Sequence, residues 1–232
     1  MNDEMKQWLA LQPASVRNQV AVLSKEEAGP MYHISKDGGI KRFTPMVSRR
    51  TASTENISVP RVCVAGTLVG CMIGYAATLD DFLWRRDGYK GGWYIYDIDY
   101  QYLLKPSVKL LYDVEHSQER WLVTYSKDTV FYRPTIAGHF FYTSAQVKPN
   151  GRGGHEWSVE MVVNIQTDTT VLFDLKRVLT KGTWRIQGLA AESFSLTETS
   201  KYIVEKISDG EYARLKKQSA DLLSLGQNWF FW

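Results

Sequence analysis

One uncharged run limits what this chain can become. Val62–Leu79, VCVAGTLVGCMIGYAATL, holds eighteen residues without a charge. That length sits at the lower edge of a membrane-spanning helix, which needs about 20 apolar residues. Three glycines, two threonines and a tyrosine dilute it, and Asp80 and Asp81 follow at once. No strong aromatic belt or basic block stands directly behind it. The run therefore reads as a buried strand over 62–65 turning into a core helix over 67–83, with no membrane expected; a transmembrane helix is the competing reading.

The rest of the composition agrees with a packed chain. The 232 residues are 44% hydrophobic with a net charge of +3, so neither the strongly basic signature of a dedicated nucleic-acid binder nor that of a disordered segment is present. Local basic character gathers at Lys41, Arg42, Arg49, Arg50 and Arg61, either a solvated loop or a phosphate or nucleic-acid contact. The two cysteines, Cys63 and Cys71, form no CxxC pair and fit buried thiols in a reducing compartment. The N-terminus lacks the basic start, apolar run and cleavage site of a signal peptide. A cytoplasmic location is expected, the host cytoplasm if the chain is phage-encoded.

Periodicity and turn chemistry predict an α+β organisation. Helices are expected over 3–11 and 15–28, split by Gln12-Pro13 and stopped by Gly29-Pro30. Met31–Ser35 reads as a strand before a Lys36–Gly39 turn, and 45–60 as a polar loop. Further strands are expected over 93–100, 108–112 and 120–125. Beyond these, 139–147, 157–166, 170–176 and 183–195 alternate as four antiparallel strands joined by turn residues. Helices over 199–207 and 211–225 follow. The tail Trp229-Phe230-Phe231-Trp232 either packs on the chain's own core or plugs into a protein partner. Three parts result: N-terminal helices over 1–29, a mixed part over 30–138, and an antiparallel sheet with C-terminal helices over 139–232.

No phosphate loop, HExxH, GxSxG or cysteine–histidine metal array occurs, and no metal is expected. The histidines, His33, His116, His139 and His155, are scattered. The order of short segments says more. Tyr32-His33-Ile34-Ser35 is followed by Phe43-Thr44-Pro45, Glu55, Pro60-Arg61-Val62-Cys63-Val64-Ala65, Gly70-Cys71, Asp113 and Glu119-Arg120-Trp121-Leu122. This order resembles small bacterial and phage members of the ADP-ribosyltransferase-like superfamily over roughly residues 30–140.

The resemblance implies a split β-sheet that binds NAD as a substrate and transfers ADP-ribose to a protein or nucleic-acid acceptor. It assigns His33 and Ser35, as an H-x-S pattern, to the dinucleotide. Tyr75 would stack on the nicotinamide ring, a contact worth about 1 kcal/mol beyond burial, with Thr67 near the start of the same helix. Glu119 would be the catalytic carboxylate, bonding the ribose 2′-hydroxyl and stabilising the oxocarbenium-like charge as nicotinamide leaves. Such a site needs His33 and Glu119 in one cleft, within reach of one nucleotide; on opposite faces the transferase reading fails. Two departures stand out. Arg42, Arg49, Arg50 and Arg61 all compete for the donor-loop arginine, and Ser117 stands two before Glu119, where arginine-modifying members carry an acid. That second departure argues against arginine as the acceptor.

Each of these residues has a structural reading beside the functional one: His33 bonded to a carbonyl, Tyr75 in a core, Glu119 on a strand face. The alternative to an enzyme is a non-enzymatic phage or accessory protein that uses the same fold for protein–protein contact. In the last part, Gly182-Thr183-Trp184-Arg185-Ile186 and Glu192-Ser193-Phe194-Ser195-Leu196 resemble the final strands of nuclear-transport-factor-2-like domains, or equally an extension completing the first sheet.

Overall fold

The computed structural model describes residues 1–47, 58–75, 92–149, 155–192, 195–197 and 202–225. The chain divides into two units. Unit 1 holds Met1–Gly74 and Tyr96–Thr135; unit 2 holds Tyr75–Ile95 and Ile136–Trp232. The fold class is α+β, with helices set against antiparallel strands.

Unit 1 begins with α1 (Asp3–Leu11), whose first turn is closed by Asn2 Oδ1 accepting from Met5 N at 3.0 Å. After Pro13 comes the short α2 (Ala14–Arg17). The expected helix over 15–28 does not continue. Val20–Ser24 forms a strand, β1, and only Lys25–Ala28 returns to helix, as α3. The physical reason is the β-prone run Val20-Ala21-Val22-Leu23, which pairs along its whole length with β5 (Tyr102–Pro106). Sheet pairing outweighs the helix propensity of its neighbours.

The unit's other strands are β2 (Tyr32–Ser35), β3 (Val62–Ala65), β4 (Trp93–Ile98, of which Tyr96–Ile98 belong here) and β6 (Glu119–Leu122). Their order is β1-β5-β6-β3-β2-β4. The expected strand over 108–112 is a turn instead. Leu110 N and Leu111 N both donate to Ser107 O, burying Leu110 and Leu111 while Val108 and Tyr112 stay exposed. Pro106 ends the strand that precedes it. α4 (Leu68–Gly74) follows β3, and α5 (Val114–Ser117) precedes β6. The helix expected to 83 has its last residues outside those described. Among the described residues no helix is long and apolar enough to cross a membrane.

Both faces of this sheet are covered. Met5, Val16, Leu104, Leu111, Trp121 and Val123 pack together on one side, with Cys63 against them. Val62, Val64, Leu103, Leu122 and Tyr132 form a second cluster. Neighbours along β3, β5 and β6 fall alternately into the two clusters, as the period of a strand requires.

Unit 2 is built on three long antiparallel strands, β7 (Pro134–Pro149), β8 (His155–Ile165) and β11 (Gly182–Glu192), with β12 (Ser195–Thr197) and β13 (Ile203–Ile207) both pairing with β11. Between β8 and β11 stand the two-residue strands β9 (Val171–Leu172) and β10 (Val178–Leu179). The strand expected over 170–176 is cut short because Asp174 Oδ1 accepts from Lys176 N and Arg177 N, both at 2.7 Å, and folds the chain back. The helix expected over 199–207 is a strand over Ile203–Ile207. The Ile203/Ile207 spacing that suggested a helical face falls on residues paired with Gln187 and Thr183. The helix expected over 211–225 is present as α6 (Asp209–Leu225), packing Leu215 and Tyr212 on Phe141 and Val162.

One carboxylate ties the middle of this sheet together. Glu160 accepts from Thr143 Oγ1 at 2.6 Å, from Arg185 Nε and Nη2 at 3.0 and 2.8 Å, and from Gln187 Nε2 at 2.5 Å. Burial pushes its carboxyl up, but these bonds and the guanidinium charge outweigh it and hold the group below its ordinary 4.5. A carboxylate with a depressed folded pKa adds stability above its unfolded pKa and loses it as pH falls through the folded one. Glu160→Gln is therefore expected to lower the urea midpoint at neutral pH and to flatten its fall through the carboxylate range. Parallel pH profiles for the two proteins would refute this.

Candidate functional site

The three segments that carry the transferase resemblance lie side by side as β2, β3 and β6, with β3 in the middle. β3 and β6 pair in full: Val62↔Leu122, Cys63↔Trp121, Val64↔Arg120 and Ala65↔Glu119. β2 and β3 share a single pair, Tyr32↔Ala65, and then part.

Residues opposite one another across antiparallel strands share a face, and neighbours along a strand alternate. Tyr32, Ala65 and Glu119 therefore stand on one face, together with Cys63 and Trp121. His33, Val64 and Arg120 stand on the other. The pleat separates the two residues that a transferase would bring together.

Each of them is engaged inside the protein. His33 Nδ1 lies 2.8 Å from Cys63 O. A carbonyl can only accept, so Nδ1 carries the proton and the neutral ring keeps Nε2 as an acceptor. Burial holds its pKa below the ordinary value, with the Cys63 carbonyl opposing. The ring also leans on Phe43, centroids 4.6 Å apart. The histidine occupies the opening where β2 and β3 part and satisfies a strand carbonyl there.

Glu119 opens β6 and lies deep, its side chain 13% exposed. Its Oε1 accepts from Trp121 Nε1 at 2.8 Å and stands 4.0 Å from Arg61 Nε. The Arg61 guanidinium lies over the Trp121 ring, 4.4 Å from its centroid. Cys63 completes the group: burial first, then the charge and hydrogen bond of Glu119, push its thiol well above the ordinary range. Cys71, on the buried side of α4, is pushed up to about 12, chiefly by burial. Neither thiol is a thiolate nucleophile at neutral pH.

The remaining predicted residues hold local structure. Ser35 Oγ accepts from Asp37 N at 3.1 Å and shapes the turn after β2. Thr67, buried, accepts from Gly70 N at 3.0 Å and caps α4. Tyr75 follows the last residue of α4, partly buried, and is grouped with unit 2, whereas His33, Ser35, Thr67 and Glu119 belong to unit 1.

Arg61, Cys63 and Trp121 were not singled out together from the sequence. The signal was available: 61, 63 and 65 alternate onto one strand face, as do 119 and 121. Of the competing arginines, Arg61 is the one beside Glu119, while Arg49 and Arg50 lie outside the described residues. Among the described residues no group of three or more His, Cys, Asp or Glu side chains could hold a metal ion. The chain matches no protein-family model, and neither a curated protein nor a solved structure matches it.

Proposed function

We propose that the chain is a non-enzymatic member of the ADP-ribosyltransferase-like group, one that works by engaging a macromolecular partner. The observation that carries this reading is the register of β2, β3 and β6, which sends His33 and Glu119 to opposite faces. Glu119 is also bonded to Trp121 and sits beside Arg61, so its carboxylate serves the fold.

One observation favours the transferase reading instead. The H-x-S strand, the strand feeding α4 and the strand opening on Glu119 are adjacent, and a chain of contacts runs from His33 to the Cys63 carbonyl and from the Cys63 thiol to Glu119. In that reading NAD lies in the parting of β2 and β3, held by His33 and Ser35, with Thr67 on the nicotinamide side and a protein or nucleic-acid acceptor; Tyr75, expected to stack on the nicotinamide ring, belongs to unit 2. The aromatic tail proposed as a protein contact, Trp229–Trp232, lies outside the described residues.

Titration with NAD, read by thermal melting and by NAD consumption, separates the two readings. Neither the parent nor Glu119→Gln is expected to consume NAD. A ligand at about a hundred times its dissociation constant adds roughly 2.7 kcal/mol of stability. A shift of that size in both proteins, with turnover in the parent alone, would establish the transferase and overturn the binding reading.

A further inference from the structure

A second feature of unit 1 uses none of the residues assigned above to NAD or catalysis, although Arg42 is one of the competing donor-loop arginines. The isolated bridge Phe43↔Tyr132, closed by Phe43 N to Tyr132 O and Tyr132 N to Phe43 O at 2.8 Å each, sets Arg42 directly across from Arg133. Both are exposed, and both guanidinium groups stand 5.7 Å from the centroid of one ring, Phe131. Like charges directly opposite one another destabilise a strand pair. Neither arginine has a carboxylate partner among the described residues, so nothing within the described protein offsets the repulsion. An anion between them would.

Phe131 and Arg133 also line a cavity of about 310 Å³, walled by Tyr100, Tyr125 and Tyr132. That volume is at the small end of ligand pockets. The tyrosine hydroxyls are spent on the protein: Tyr100 donates to Gly29 O, Tyr132 to Val123 O and Tyr125 to Gln101 Oε1. The tyrosines themselves are buried, so Phe131 is the most accessible ring and the walls offer few free donors. At the rim the Gln101 amide nitrogen, unengaged among the described residues, supplies donors, and the Asp99 carboxylate, bonded to Lys25, supplies acceptors. One accessible aromatic ring, a pair of edge-reading groups and two unpartnered arginines match the three parts of a nucleotide: face, edge and phosphate.

We propose that this pocket binds one nucleotide unit, its base against the Phe131 ring and its phosphate on the Arg42–Arg133 pair. The unit comes from a free mononucleotide or from a single strand. This inference does not rest on the reading of Glu119 and His33.

The test uses the full chain with three probes: a fluorescently labelled oligothymidylate followed by anisotropy, and adenosine 5′-monophosphate and inorganic phosphate followed by thermal melting. Saturable binding of the strand with stabilisation by the mononucleotide identifies a site open to both sources; stabilisation by the mononucleotide alone identifies the free nucleotide. In either case Arg42→Gln/Arg133→Gln, at exposed positions, is expected to weaken binding by about tenfold or more without lowering its own melting temperature. Phe131→Leu is expected to weaken the base-bearing probes and leave phosphate unaffected. Glu119→Gln is expected to bind as the parent does, which separates this pocket from an NAD site in the parting of β2 and β3. Absence of binding by every probe, equal binding by the double arginine variant, or phosphate stabilising as well as the mononucleotide would each overturn the proposal.

Discussion

Glu119→Ala is expected to lower the stability of the protein by about 3 kcal/mol, toward the lower end of what breaking a buried ion pair costs. Two losses add up. The Trp121 indole is fully buried, and its Nε1–H would lose the acceptor it has at 2.8 Å; a buried donor left without a partner costs about 1–3 kcal/mol. Arg61, its side chain 1% exposed, would lose the carboxylate 4.0 Å from Nε. Its stacking on Trp121 persists, which keeps the loss from being larger. Glu119→Gln preserves an acceptor for Trp121 and is expected to cost less than half as much. Adding Arg61→Met to Glu119→Ala is expected to recover part of the loss, since it removes the buried guanidinium that the first substitution leaves without its carboxylate. Urea unfolding of the four proteins measures all three statements. A Glu119→Ala protein within about 1 kcal/mol of the parent would place the carboxylate outside the fold's supporting network. That outcome would also weaken the binding reading, because a carboxylate the fold does not need is one that chemistry can use.

The contrast between what was legible in the sequence and what was not follows from range. Val62–Ala65 and Glu119–Leu122 were readable because β-branched and aromatic residues at strand spacing mark a buried strand without reference to any partner. Val20–Ser24 was not, because its strand identity comes from β5, more than seventy residues on, and its flanks resemble helix. Ile203–Ile207 failed for the same reason: five residues with an i,i+4 pair of isoleucines satisfy a helical template until β11 is placed beside them. Register was also beyond reach. The spacing of His33 from Ser35, and of Glu119 from Trp121, fixes which residues share a strand face. It says nothing of which face of β2 matches which face of β6. That is decided by the pairs Tyr32↔Ala65 and Ala65↔Glu119, and a slip of one residue in either would reverse the conclusion. The identity of the short segments was legible; whether they converge was a property of the sheet.

Gly92→Ala is expected to be one of the most damaging single-methyl substitutions among the described residues, at about 2–5 kcal/mol. Gly92 precedes β4 in unit 2 and has φ of +89°, where a side chain costs about 1–2 kcal/mol. A Cβ there would stand 2.1 Å from Phe140 O and 2.7 Å from the His139 ring. The first neighbour is backbone in the middle of β7, so relief means moving a strand, and overpacking of this kind costs about 1–3 kcal/mol or more. The aromatic contacts leaning on that strand, Trp93 stacked on Phe140 at 5.3 Å and Tyr94 edge-on to His139 at 5.1 Å, would shift with it. Two other glycines separate the contributions. Gly29 has φ of +74° with nothing within 4 Å of an added Cβ, so Gly29→Ala carries backbone strain without collision. At Gly138, where φ is not positive, an added Cβ would stand 2.4 Å from Asn164 O, so Gly138→Ala carries collision without that strain. Denaturant midpoints are expected to rank Gly92→Ala below both. A Gly92→Ala protein no less stable than Gly29→Ala would mean that β7 yields to the methyl group, and that the close approach of Gly92 to Phe140 does not hold this part of unit 2 in place.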